Sequence, residues 1–246
     1  MIIPLGDDNR DRTTRPVVTY LLIAINVLVF VFLQDMGNNY NFTYAYSTVP
    51  QEIISGHDVV TQDRVVSNAV TGQRFRSPGL RPTPIPVYLT IITAMFMHGG
   101  FLHILGNMLF LFIFGDNIED RMGKMRYLVF YLVCGVLASL AHVYSSVALN
   151  ANLQVPSLGA SGAISGVLAG YLVLFPRKRV RVIILRIFAN VPAVVAIGVW
   201  FLFQLVSGLA SVGGSGGGVA YGAHIGGFIA GLVLVKLFEP RRRARA

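Results

Sequence analysis

Six stretches of the chain stay apolar long enough to be read as membrane-spanning helices, because about 20 apolar residues cross the hydrocarbon core of a bilayer. They run over 16–34, 94–115, 126–148, 160–175, 190–211 and 219–238, the fourth being short of a full crossing. Between the first two lies a long mixed segment, 35–93. In it, Tyr40 to Ile54 mixes aromatic and polar residues as an interfacial stretch does, and His57 to Gly79 is polar. The run Arg81-Pro82-Thr83-Pro84-Ile85-Pro86 is expected to be extended, since alternate prolines cannot sustain a helix. No separate folded domain and no internal repeat is visible. The predicted organisation is residues 1–15 as an N-terminal segment, 16–34 as the first span, 35–93 as a loop, 94–238 as five further helices and 239–246 as a basic tail.

The charges orient these spans. Arg10, Arg12 and Arg15 precede span 1, and Arg121, Lys124 and Arg126 join spans 2 and 3. Arg177, Lys178, Arg179, Arg181 and Arg186 join spans 4 and 5, and Lys236, Arg241, Arg242, Arg243 and Arg245 close the chain. The alternate connections, 149–158 and 212–218, carry no charge. Basic connections mark the cytoplasmic side, so both termini are expected there. Segment 35–93 then lies outside despite Arg64, Arg74, Arg76 and Arg81, because long loops cross regardless of charge.

Composition agrees with a bilayer setting. The chain is 54% hydrophobic and 13% charged, with a mean hydropathy of +0.64, where a soluble domain carries about 25% charged residues. A formal charge of +9 would suggest nucleic acid on a soluble face. Here the basic residues cluster between apolar runs and no nucleic-acid motif accompanies them. The lone Cys134 excludes a disulfide framework and a cysteine metal pair, and reads as a small core residue. The first apolar run, Val17 to Leu33, is long for a signal peptide and no small-residue cleavage site follows it. The expected location is a bacterial cell membrane.

Two polar residues stand out at membrane depth. Gly159-Ala160-Ser161-Gly162 opens span 4, and His224 lies inside span 6. A lone Gly-x-Ser-Gly or a lone helical histidine is an ordinary bundle feature, yet ionisable groups at this depth are costly and point to function. Gly162, Gly166 and Gly170 recur every four residues below Ser161, and Gly227 and Gly231 repeat the interval below His224. Small residues so spaced let helices approach closely in lipid. Both spans run inward, which brings the hydroxyl and the imidazole to a similar depth as a nucleophile and its base. Because span 4 is short, the loop before it must dip into the bundle. Irregular backbone at that depth needs a protein or water lining, and the free N–H groups of a helix start favour an oxyanion.

A second constellation opens span 2, His98-Gly99-Gly100-Phe101-Leu102-His103-Ile104-Leu105-Gly106-Asn107. His103 and Asn107 are four apart and share a helix face. Either they donate hydrogen bonds to a tetrahedral intermediate, or Asn107 ties span 2 to a neighbour. His98 reads as a cap near the interface with a supporting role. Without a His-Glu-x-x-His run or a nearby carboxylate, metal binding ranks low. No Asp or Glu lies inside spans 3 to 6, which favours a serine–histidine dyad over a triad. At the far end of span 2, Glu119 with Arg121 is expected to tie down the turn 116–125, or to join a solvated cluster with Asp116 and Asp120.

As a set, these residues resemble the rhomboid intramembrane serine proteases. The resemblance rests on His98-Gly99-Gly100, His103 and Asn107; on Gly115, Glu119 and Arg121; on Gly159-Ala160-Ser161-Gly162; and on Ala223-His224 with Gly227 and Gly231, in that order from Thr90 to Gly231. It implies an all-α polytopic six-helix bundle with a short fourth helix and a long first external loop. Ser161 would be the nucleophile and His224 the general base and acid. His103, Asn107 and the N–H of Ser161 would form the oxyanion hole, with His98, Gly159, Gly162, Gly227 and Gly231 in support. No cofactor and no metal is implied. The implied substrates are single-pass transmembrane proteins held in membrane lipid, cut in or near the bilayer after a small residue, where the helix unwinds easily. Two departures stand out. Ser165 occupies a position where the family often stacks an aromatic on the histidine, which either loosens the imidazole or is offset by a neighbour such as Phe228. The family's Trp-Arg pair in the first external loop is absent, the only tryptophan being Trp200. The alternative is a catalytically inactive rhomboid-like protein that binds transmembrane helices. A small transporter would carry paired charges at mid-membrane and repeated halves, and neither is evident.

Overall fold

The computed structural model describes residues 2–67, 74–184, 187–211 and 220–240. Arg186, the connection 212–218 and the tail arginines 241–245 lie outside the described residues. Four of the described helices are long and apolar enough to cross a membrane: α5 (Phe101–Met122), α6 (Lys124–Ala148), α8 (Ala193–Ser211) and α9 (Tyr221–Phe238). Two shorter apolar helices complete the six. One is α1 (Val17–Leu28), which continues through a wider turn to Leu33, and the other is α7 (Ser161–Leu174).

Helix α7 sits at the centre. Every residue from Gly162 to Tyr171 is buried, as expected of a helix apolar on all sides and wrapped by others. Its 14 residues span about 21 Å, well short of the roughly 30 Å hydrocarbon core. Glycines set how near its neighbours come. A methyl group at Gly227 would lie 2.1 Å from the Gly162 carbonyl oxygen, and one at Gly231 would lie 2.3 Å from that of Gly166. The two pairings advance together along both helices, so α7 and α9 run parallel with backbones in contact. On its other side α7 meets α6, where Gly162 faces Ala138 and Gly166 faces Cys134, which is fully buried. Cys134 is thus the small core residue that composition indicated.

The end of the bundle away from Ser161 is closed by polar bonds. Here the structure departs from hydropathy in three ways. Helix α5 covers 101–122 rather than 94–115. The shift arises because Asp116, Glu119 and Asp120, which end the apolar run, all find partners. Arg12 donates to Asp116 at 2.5 Å, and Thr13 and Thr14 donate to Asp120. Glu119 accepts from the Val18 and Thr19 N–H groups and the Thr19 hydroxyl, so its carboxylate caps the first turn of α1. This corrects the expected Glu119–Arg121 tie: Arg121 pairs with Glu239 across the bundle.

The second departure is a three-stranded sheet, built from β1 (Ile2–Asp7), β4 (Arg179–Ile184) and β5 (Ile187–Pro192) in the antiparallel order β1-β4-β5. It buries Val180 and Val182 against the core and leaves Arg179 and Arg181 outward. Asp7 accepts from the Tyr171 hydroxyl at 2.5 Å, which fastens the far end of α7 to β1. Burial under the sheet pushes the Asp7 carboxyl up to about 6. The third departure is that segment 35–93 is folded, with α2 (Tyr40–Tyr46), α3 (Pro50–Ser55), a hairpin of β2 (Arg64–Ser67) and β3 (Arg74–Ser77), and a short α4 (Thr90–Thr93). The proline run 81–86 carries no helix or strand.

Candidate active site

Three pieces of backbone hold the start of α7. The loop before it pairs with the long segment through Thr48 and Ser157, which exchange N–H···O bonds of 3.0 and 2.8 Å. The Gly159 N–H donates to the Ala94 carbonyl at 2.9 Å. Gly159 has φ +128°, a conformation that disfavours any side chain. Ser161 follows as the first residue of α7, half-buried. The N–H groups of that first turn have no acceptor within the helix.

His224 stands three residues before Gly227 on α9, so the glycine contact that joins α9 to α7 also sets its height. Its Nε2 lies 2.7 Å from the Ser161 hydroxyl oxygen. Its Nδ1 lies 2.8 Å from Gln204 Oε1, contributed by α8. Gln204 is buried, at 7% exposure. The sequence reading missed it, although it is the one amide in an otherwise uncharged helix, and a buried amide needs a partner. The Ser165 hydroxyl donates back to the Ser161 carbonyl at 2.6 Å and presents nothing to the imidazole. Phe228 does not take the vacant place, because it stacks on Phe201 with ring centroids 4.0 Å apart. Trp200 does so in part, 6.2 Å from the His224 ring at 35°, with Tyr221 edge-on at 6.4 Å.

Of the second constellation, His103 reaches the same point. His103 Nδ1 accepts from the Gly99 N–H at 3.3 Å, which leaves the ring hydrogen on Nε2. A methyl built on Gly159 would lie 2.9 Å from that Nε2 and 3.6 Å from Ser161 Oγ. The glycine therefore keeps open a space flanked by the hydroxyl and an imidazole N–H. Asn107, one turn below His103, is buried, and its Nδ2 has no hydrogen-bond partner among the described residues. His98 does not cap α5, which begins after Gly100. Its backbone is clamped by Gln34, which accepts from the His98 N–H at 2.8 Å and donates to its carbonyl at 3.0 Å. Its fully buried ring meets His103 edge-on at 5.2 Å. A cavity beside Ser161 is walled by small residues, Gly135, Ala138, Gly162, Ala163 and Ala223, with Met95 at its side.

The Rhomboid domain family model matches residues 86–241, well over half of the chain. The chain is similar to "Rhomboid protein 1, mitochondrial" of Saccharomyces cerevisiae, 32% identical over 168 residues, which are 64% of this chain and 45% of that protein. It is also similar to "Rhomboid protease GluP" of Bacillus subtilis, 28% identical over 88% of this chain and 34% of the relative. A third match is "Presenilin-associated rhomboid-like protein, mitochondrial" of Mus musculus, 29% identical over 50% of this chain and 35% of the relative. The aligned parts thus span less than half the length of each of these relatives. A family match that covers α5 through α9, on a bundle of long apolar helices, establishes that the chain is an integral membrane protein of the rhomboid family.

Proposed function

We propose that this chain is an intramembrane serine endopeptidase acting through a Ser161–His224 dyad. The observation that carries the reading is the 2.7 Å contact between His224 Nε2 and Ser161 Oγ at the start of a buried helix. Ser161 attacks the scissile carbonyl while His224 takes its proton and then gives it to the leaving amine. Water, deprotonated by the same imidazole, hydrolyses the acyl-enzyme and releases the new carboxylate. The carbonyl oxygen enters the space beside Gly159, where the His103 Nε2–H and the unpaired Asn107 amide donate to it. Gly159 keeps that space open, and Gly162, Gly227 and Gly231 hold the two helices at reacting distance.

The substrates on this reading are single-pass transmembrane proteins. The small-residue walls of the cavity beside Ser161 suit a small side chain before the cut. The charge pattern supports both termini in the cytoplasm and segment 35–93 outside, and the proposed setting is a bacterial cell membrane. The test is co-expression with candidate single-pass proteins, comparing wild type with Ser161→Ala for released fragments. Wild type should release fragments and Ser161→Ala none at equal accumulation, and a fluorophosphonate probe should label only the former. Full cleavage by Ser161→Ala would end the proposal. A wild type that binds transmembrane segments but neither cleaves nor labels would instead be a catalytically inactive helix-binding rhomboid.

A further inference from the structure

The imidazole of His224 has two nitrogens, and each faces one oxygen. Ser161 Oγ lies 2.7 Å from Nε2 and Gln204 Oε1 lies 2.8 Å from Nδ1. A neutral imidazole carries one ring hydrogen. A hydroxyl donates or accepts, whereas an amide oxygen only accepts. An amide oxygen facing Nδ1 places the hydrogen on Nδ1, between the ring and Gln204, and turns the Nε2 lone pair to Ser161. That is the tautomer a general base requires. The opposite tautomer would set the Nδ1 lone pair against the lone pairs of Oε1.

We infer that Gln204 is a positioning residue, whose amide oxygen fixes the His224 tautomer and ring orientation so that Nε2 accepts the Ser161 proton. This rests on the proposed protease function. It adds to the dyad a neutral third member from α8, a helix with no charged residue. An ionised carboxylate beside His224 would carry a large desolvation cost at this depth, whereas a neutral amide costs far less to bury and its oxygen is satisfied by this one bond. As the imidazole takes the proton, the oxygen of Gln204 lies against the Nδ1–H and favours the cation. Trp200, one turn earlier on α8, packs against the same ring. One helix thus grips the imidazole by an edge and a face.

Gln204→Leu keeps a side chain of comparable volume and removes the acceptor, while Gln204→Glu keeps an acceptor oxygen. Cleavage of one substrate is measured in wild type and both variants, with fluorophosphonate labelling rate and thermal midpoint. In Gln204→Leu, kcat and labelling rate should fall together by about ten- to a hundred-fold, as when other hydrogen-bond supports of a functional histidine are removed. KM should stay within about twofold, and Gln204→Glu should recover part of the loss. A second readout does not depend on catalysis: ¹⁵N spectra of protein labelled at its five histidines, with the His224 signals assigned by their loss in His224→Ala. Wild type should show a protonated Nδ1 and a bare Nε2, and Gln204→Leu a tautomer mixture. Unchanged kcat with unchanged tautomer in Gln204→Leu would overturn the inference, as would a loss confined to KM or to the folded fraction. A wild type that cleaves and labels nothing would refute the protease reading, and the ¹⁵N comparison would still decide the role of Gln204.

Discussion

Replacing Gly227 by alanine tests whether glycine docking holds the dyad together. The new methyl would lie 2.1 Å from the Gly162 carbonyl oxygen, where ordinary contact begins at 3.4 Å. The obstacle is backbone, so no side-chain rotation relieves it, and the Ala138 methyl at 3.2 Å narrows the way out. Helix α9 must therefore retreat from α7 by roughly 1.3 Å, because packed interiors have no slack to absorb it. His224 is less than one turn from the obstruction and Ser161 adjoins Gly162, so most of this shift reaches their 2.7 Å contact. Stretched toward about 4 Å, it is no longer a hydrogen bond. A misplacement of about 1 Å costs on the order of a hundredfold in rate, while overpacking costs about 1–3 kcal/mol of stability. The assay is the fluorophosphonate labelling rate of Ser161 and the cleavage rate, both normalised to folded protein. The control is Gly198→Ala on α8, where a methyl meets nothing within 4 Å. Labelling of Gly227→Ala at the wild-type rate would refute the reasoning.

Gly159→Ala places a methyl 2.9 Å from His103 Nε2 at a backbone φ of +128°. It should lower kcat by about a hundred- to a thousand-fold, with intact accumulation in the membrane as the check on folding. Glu119→Ala strips the cap from α1 and leaves the Val18 and Thr19 donors unpaired. It should lower unfolding stability by about 2–4 kcal/mol, read from denaturation in detergent. Glu52, on α3, is 1% exposed, and burial pushes its carboxyl up to about 7. The raised value means the folded state holds this proton more tightly than the unfolded chain, so stability is fullest below about pH 4.5 and declines as pH rises through about 7. With nearby solvent screening included, Glu52→Gln should remove about 1–2 kcal/mol of that decline, measured as the difference in thermal midpoints between pH 5.5 and 8.

The approach of Ser161 to His224 was legible because polar side chains are rare at membrane depth and the two glycine intervals match. Both signals lie within single helices and survive in the linear sequence. Gln204 carries the first signal alone, as the one amide of α8, with no matching interval to say what it meets. Its distance along the chain from His224 has no helical meaning, and only the docking of α8 on α9 makes them neighbours. The extension of α5 beyond Gly115 was hidden for a related reason. Hydropathy reads Asp116, Glu119 and Asp120 as a boundary, whereas their partners, Arg12, Thr13, Thr14 and the start of α1, come from another part of the chain. Strand β4 differs. The alternation Arg179-Val180-Arg181-Val182 has the period of a half-buried strand, but the same arginines supplied the topology signal and drew the reading toward a charged connection. Phe228, one turn from His224 in sequence, stacks on Phe201 instead, and the ring that reaches the imidazole is Trp200 from α8, which only tertiary packing brings near.

The two ends of α5 handle polarity in opposite ways. At the sheet end, Asp116, Glu119 and Asp120 all have donors. At the other end, the Asn107 amide and both ring nitrogens of His98 are buried without a partner among the described residues. Each such group costs about 1–3 kcal/mol, so the upper end stores free energy that the lower end and the glycine contacts must offset. On the protease reading that imbalance has a use. A donor already bonded in the resting state would have to break a contact to reach an oxyanion, whereas an unpaired one gains its full hydrogen bond only as charge develops. Asn107 and Asp116 are nine residues apart on one helix, about 13 Å. The carboxylate pins therefore fix the depth and rotation of the helix that presents the open donor. On the same reading the polar bonds at the far end of the molecule do more than close it: they anchor the helix that carries the unpaired Asn107 amide, so that its donor is free when an oxyanion forms.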